Sequence, residues 1–143
     1  MTGGGWIDVA PGSYPADPTL RGRANFGFNS KYKNGAQPPT GETEFNFSVA
    51  NFNFHSDAYT WLVVTNFKAQ YRGTGSINGV PGYDFRLTAY DGDINGGGGI
   101  DKFRIKITRN GQTVFDNRMG VSEDIDQADP QQIAGGSIVI HRA

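Results

Sequence analysis

Apolar and polar residues alternate with a period of two along most of the chain, and no window holds apolar positions at the i, i+3, i+4, i+7 spacing of a helix. The pattern predicts a protein that is nearly all β. Its clearest stretch runs from Thr60 to Ile77, where Trp61, Val63, Phe67, Ala69, Tyr71 and Ile77 share one face and Asn66, Lys68, Gln70 and Arg72 take the other. This reads as one long bent strand or two short ones. Gly73 and Gly75 fall on the inward parity, where a missing side chain permits a bulge or the close approach of a neighbouring backbone.

Upstream, Phe45, Phe47 and Val49 keep odd parity while Phe52 and Phe54 keep even parity, so a bulge or tight bend is expected near Ala50-Asn51. Tyr83, Phe85, Leu87 and Ala89 alternate with Asp84, Arg86 and Thr88, and Phe103, Ile105 and Ile107 alternate with Lys102, Arg104 and Lys106. Both segments predict half-buried strands with a solvated outer face. Asn110-Gly111, set between two apolar strand patterns, predicts a type I′ hairpin. With Ala24 to Phe28 and Ile138 to Ile140 the count reaches about eight strands, and the prolines all fall between them. The expected fold is an all-β, two-sheet antiparallel sandwich of jelly-roll type. Residues 1–4 read as a start and linker, and residues 5–143 as a single domain, the C-terminal piece of a longer protein.

Composition narrows the classes. Ten Phe, six Tyr and two Trp let a chain with only 36% hydrophobic residues build a dense core, while 21 glycines without a strict period exclude collagen. A net charge of -1 argues against nucleic acid as a partner, and no apolar run is long enough to span a membrane. The absence of cysteine removes disulfides and thiol chemistry.

Half of the 14 acids lie in two short stretches. In the first, Asp91-Gly92-Asp93-Ile94-Asn95-Gly96 fits the D-x-[DN]-x-[DN]-G half of a calcium loop, in which alternating short oxygen-bearing side chains converge on a hard cation. Lys102 stands where an EF-hand carries its bidentate acid, so this is no EF-hand. Gly96 to Gly99 would let the chain fold back for Asp101 to close the shell. Asp91, Asp93, Asn95 and Asp101 are thus candidate calcium ligands, against the plain alternative of a polar turn. The second stretch offers Glu123, Asp124, Asp126 and Asp129 as a further acidic site, weighed against a solvated acidic loop.

His55-Ser56-Asp57 holds the three side chains of a hydrolase triad, but neighbours on an extended segment point to opposite faces. No nucleophile elbow or zinc motif is present, and the chain reads as a non-enzyme. Tyr14, Tyr32 and Tyr59 lie near predicted loops and are candidate glycan contacts, whereas Trp61 has core parity.

Gly4-Gly5-Trp6-Ile7, Phe52-Asn53-Phe54-His55-Ser56, Trp61-Leu62-Val63-Val64, Tyr71-Arg72-Gly73-Thr74-Gly75, Asp91-Gly92 through Asn95 to Ile107, and Gly135-Gly136-Ser137-Ile138-Val139-Ile140-His141 occur in an order that resembles the post-COAP domain of secreted bacterial proteins. The resemblance implies an exported, non-catalytic accessory module with no metal ligands to carry over. Three expectations follow: a calcium-stabilised extracellular module, a carbohydrate-binding module for polysaccharide or cell-surface glycan, or a subunit that self-associates through edge strands with Gly3 to Pro18 as donor.

Overall fold

A computed structural model describes residues 1–31, 40–94 and 98–140. Ten strands follow one another: β1 (Thr2–Val9), β2 (Gly22–Lys31), β3 (Thr40–Phe47), β4 (Phe52–Thr65), β5 (Lys68–Ile77), β6 (Val80–Tyr90), β7 (Lys102–Arg109), β8 (Gln112–Asp116), β9 (Gln131–Gln132) and β10 (Gly135–Val139). The all-β expectation holds, and every pairing is antiparallel. The strands form one sheet in the order β10-β1-β2-β3-β4-β5-β6-β7-β8. One hydrogen-bonded meander therefore stands where two sheets with jelly-roll crossings were expected. The short turns β3 to β4, β4 to β5, β5 to β6 and β7 to β8 are too tight for anything but a hairpin between neighbours.

Those turns share a device. Asn51, Asn66, Asn78 and Asn110 all have φ between 50° and 53°, the left-handed region that asparagine tolerates best among non-glycine residues. Asn110-Gly111 joins β7 to β8 as the sequence predicts, and Asn78-Gly79 joins β5 to β6 by the same chemistry. The parity switch near Ala50-Asn51 is a single 3-10 turn, Ser48–Ala50, closed by Asn51.

The chain after β8 returns across the ends of the meander. Gln131 and Gln132 pair with Phe103 and Lys102 of β7, the Ala134 N–H donates to the Trp6 carbonyl at 2.9 Å, and β10 then pairs with β1. The sheet curls so that its early strands face its late ones. Phe26 of β2 stacks on Phe103 of β7 with ring centroids 4.2 Å apart, and Phe45 of β3 lies 4.8 Å from Phe115 of β8. Around these rings Ile7, Phe47, Phe54, Tyr71, Leu87, Ile105, Ile107 and Ile138 are fully buried. Aromatic rings bury 150–250 Å² each, which is how few apolar residues suffice.

Of the segment read as a linker, residues 1–4, all but Met1 belong to β1. Gly3 fits there because a Cβ would meet the Phe28 ring. β1 pairs with β2 on one side and with β10 on the other, so the strand part of the segment expected as a detachable donor, Gly3 to Val9, sits inside the sheet.

Strands β4 and β5 correct the expected facing. Two bulges, between Ser56 and Ala58 and between Tyr59 and Trp61, shift the parity of β4 twice. Phe54 points inward ahead of the bulges, Tyr59 after the first and Leu62 after the second, and Trp61 is turned to the outer face, half-buried. Each bulge inserts one residue, and one residue exchanges the faces of everything beyond it. Gly73 and Gly75 sit opposite this bulged stretch. A Cβ on Gly73 would land on the Ala58 carbonyl oxygen, and one on Gly75 would enter the Phe54 ring.

Candidate functional site

Asp91 follows β6 and Asp101 precedes β7, so the acidic loop is the long connection between two paired strands. Asp91 is buried, its backbone fixed by donation of its N–H to the Phe67 carbonyl at 2.9 Å. Its Oδ1 accepts the Asp93 N–H at 3.0 Å, and its Oδ2 accepts the Ile140 N–H at 2.9 Å. Asp101 mirrors it: Oδ1 accepts the Gly92 N–H at 2.7 Å and Oδ2 accepts the Ile138 N–H at 2.7 Å. Ile138 lies on the outer edge of the last strand and Ile140 just beyond its end, where N–H groups would otherwise lack strand partners. Two carboxylates thus replace a missing neighbour strand.

The structure therefore brings Asp91 and Asp101 together around Gly92, whose close packing against the Ile100 backbone leaves no room for a Cβ. Asp93 is exposed and turned outward, and Asn95 lies outside the described residues. Among the described residues no group of three or more histidines or acids is close enough to hold a metal ion.

The second acidic stretch lies in a strap, residues 117–130, laid over the outer face of β5, β6 and β7. The strap is held mostly by its backbone carbonyls. Arg104 Nη1 donates to Val121 and Ser122 at 3.1 and 3.0 Å, Gln70 donates to Glu123 at 2.8 Å, Lys68 to Ile125 at 3.3 Å, and the Tyr90 hydroxyl to Ala128. Glu123 pairs with Arg86 and Lys106 at 3.5 and 3.2 Å. Asp129 pairs with Lys102 and Arg118. Asp124 and Asp126 are exposed and serve a local turn, Asp124 Oδ1 accepting the Asp126 N–H at 2.9 Å. The four acids do not converge; two neutralise cations and two shape a turn.

Beneath the strap lies an ion pair that no sequence motif announces. Arg104 and Asp116 have side chains 4% and 3% exposed and meet in a two-pronged bond, Nε to Oδ1 at 3.0 Å and Nη2 to Oδ2 at 2.8 Å. Arg104 alternates with inward residues and reads as a solvated position; only the strap, distant in sequence, buries it.

The candidate glycan tyrosines disperse. Tyr14 is half-buried with its ring edge-on to Phe52 at 5.7 Å. Tyr32 lies outside the described residues. Tyr59, expected near the surface, is 4% exposed, because the β4 bulges turn it inward. Its hydroxyl donates to the Asn29 carbonyl at 2.9 Å and shares a hydrogen bond with the Thr43 hydroxyl, which also bonds to Tyr71. Burial raises the pKa of both tyrosines, Tyr71 well above the ordinary value.

The aromatic residues at the surface are instead paired with guanidinium groups: Trp6 with Arg23 at 3.8 Å, Trp61 with Arg72 at 4.8 Å, and Tyr83 with Arg109 at 5.0 Å. The triad-like tripeptide divides as expected, with His55 and Asp57 exposed and Ser56 buried, its Oγ accepting the Thr43 N–H at 2.9 Å. Among the described residues no helix is long and apolar enough to cross a membrane. Compared with known proteins, the chain matches no family model, no curated protein and no solved structure.

Proposed function

We propose that the chain is a non-catalytic accessory module of an exported bacterial protein, in which the acidic loop holds the last strand in place. The observation that carries this reading is the engagement of all four Asp91 and Asp101 carboxylate oxygens by backbone N–H groups. Two further groups with chemical potential are spent in the same way: the Arg104–Asp116 pair fastens a strap, and Ser56 receives a strand N–H. The motif resemblance to the post-COAP domain is the support for an extracellular setting. The purified chain is expected to release no product from polysaccharide, ester or peptide substrates. Turnover abolished by a single substitution would overturn the reading.

Calcium is a second reading of the same loop, favoured by the two acids at its ends both turning onto its first residues, Asp101 accepting the Gly92 N–H and Asp91 the Asp93 N–H. Melting curves recorded with millimolar calcium and with chelator separate the two. A melting temperature that calcium raises and chelator lowers assigns the ion. Superimposable curves, with both Asp91→Ala and Asp101→Ala melting early, leave the carboxylates as strand holders alone.

A further inference from the structure

The outer face of the sheet carries a lateral row of side chains whose register runs straight across five strands: Trp61 opposite Arg72, Arg72 opposite Arg86, Arg86 opposite Lys106, and Lys106 opposite Asp116. Three cations thus occupy consecutive cross-strand positions, an arrangement that destabilises a sheet unless something neutralises it. Neutralisation is incomplete. Glu123 of the strap reaches Arg86 and Lys106, and Asp116 is taken by Arg104. Arg72, exposed, has no ion pair with any carboxylate among the described residues, and Asp84, two residues from Arg86 on the same strand, pairs with none of the row.

Arg72 is instead held by an aromatic ring. Its guanidinium carbon lies 4.8 Å from the centre of the Trp61 ring system. Stacking of this kind orients the planar fork and leaves its edge donors for a further acceptor. Trp61 is available there only because the second β4 bulge turns it outward, and bulges commonly serve to re-aim a side chain beside a binding site.

We propose that Trp61, Arg72 and Arg86 form a binding site for an acidic polysaccharide, its carboxylate or sulfate group taken by the two guanidiniums and an adjacent sugar ring set against Trp61. A guanidinium fork matches the planar pair of oxygens on either anion. From β5 to β7 the cationic row covers two strand spacings, about 10 Å, which suits one anionic group flanked by uncharged ring surface. A nucleic-acid backbone, with charges every few ångströms, would outrun a row of three cations that ends at Asp116 on β8 and has Glu123 between two of its members. Glu123 sits beside the site as an internal competitor for Arg86. The proposal stands whether or not the acidic loop takes calcium.

The test is retention of the whole chain on immobilised polygalacturonate, immobilised heparin, neutral xylan and duplex DNA at low salt. Retention on polygalacturonate or heparin, weakening as salt rises and absent on xylan, is expected, and the stronger of the two identifies carboxylate or sulfate as the anion. Arg72→Gln should weaken binding about tenfold, the loss of one hydrogen bond to a charged group, with an unchanged melting curve because Arg72 is exposed. Arg72→Lys should recover only part, keeping the charge without the fork. Glu123→Gln should strengthen binding. Absence of retention on both acidic matrices, equal retention of the parent and Arg72→Gln, or tighter binding to DNA would each overturn the proposal.

Discussion

The Asp101 carboxylate accepts the Ile138 N–H at 2.7 Å across 37 residues of sequence, and this bond, with its counterpart from Asp91 to Ile140, completes the edge of the last strand. A strand of five residues paired on one side only is marginal by itself. Each carboxylate contributes two charge-assisted bonds to it or to the adjoining turn, so the acidic loop and β10 form one cooperative unit.

Removing either acid exposes that dependence. Asp91→Ala leaves the Ile140 and Asp93 N–H groups without their acceptor, and the cost is about 1–3 kcal/mol for the buried Ile140 N–H, since water can reach Asp93. Urea unfolding should show that loss. Amide exchange at Ile138 and Ile140 should quicken more than at Ile105 in the core, whereas uniform acceleration would mean that β10 opens only with the whole molecule.

The Arg104–Asp116 pair should respond asymmetrically. Breaking one partner, as in Asp116→Asn, leaves a nearly buried guanidinium uncompensated and should cost about 3–5 kcal/mol. Arg104→Met strands the Asp116 carboxylate, which keeps only the Arg118 N–H as a donor, and also releases the Val121 and Ser122 carbonyls, so the strap should become protease-sensitive as well. Limited proteolysis with cleavage mapped to residues 117–130 reads this out.

Glycine positions separate by what surrounds them. Gly73→Ala drives a methyl group into the Ala58 carbonyl and should destabilise by about 3 kcal/mol, at the upper end for overpacking. Gly27→Ala meets nothing within 4 Å and has ordinary φ, so it should be neutral or stabilising by about 0.4–1 kcal/mol through the unfolded chain. Thermal melts of the two variants against the parent decide it.

Alkali should unfold the protein through its buried tyrosines. Tyr59, Tyr71 and Tyr90 all have raised pKa values, in each case chiefly from burial, with Asp129 adding to the rise at Tyr90. The folded state holds these protons after the unfolded chain, with its ordinary value of 10.0, has begun to release them. Stability is therefore full below pH 10 and falls as pH climbs from there through the raised folded values. Tyr71→Phe should flatten this decline, since it removes the most buried phenol; a decline of unchanged slope would show that other groups drive it.

What the sequence decides by itself is local. Period-two alternation assigns strands because the side chains of a strand alternate faces whatever the strand pairs with, and Asn110-Gly111 assigns a hairpin because positive φ is a property of two residues. Gly73 and Gly75 likewise announce close approach through a missing Cβ. The tertiary structure alone decides what the β4 bulges do: two inserted residues bury Tyr59 and expose Trp61, and their positions follow from pairing with β5. It also decides the number of sheets, because joining the ends of the meander depends on residues 131–139 crossing from β7 to β1. The acidic residues are the sharpest case. Asp91 and Asp101 are spaced as metal ligands in sequence, but a carboxylate oxygen accepts a cation or an N–H equally well. What stands opposite them is a strand edge some forty residues further along the chain.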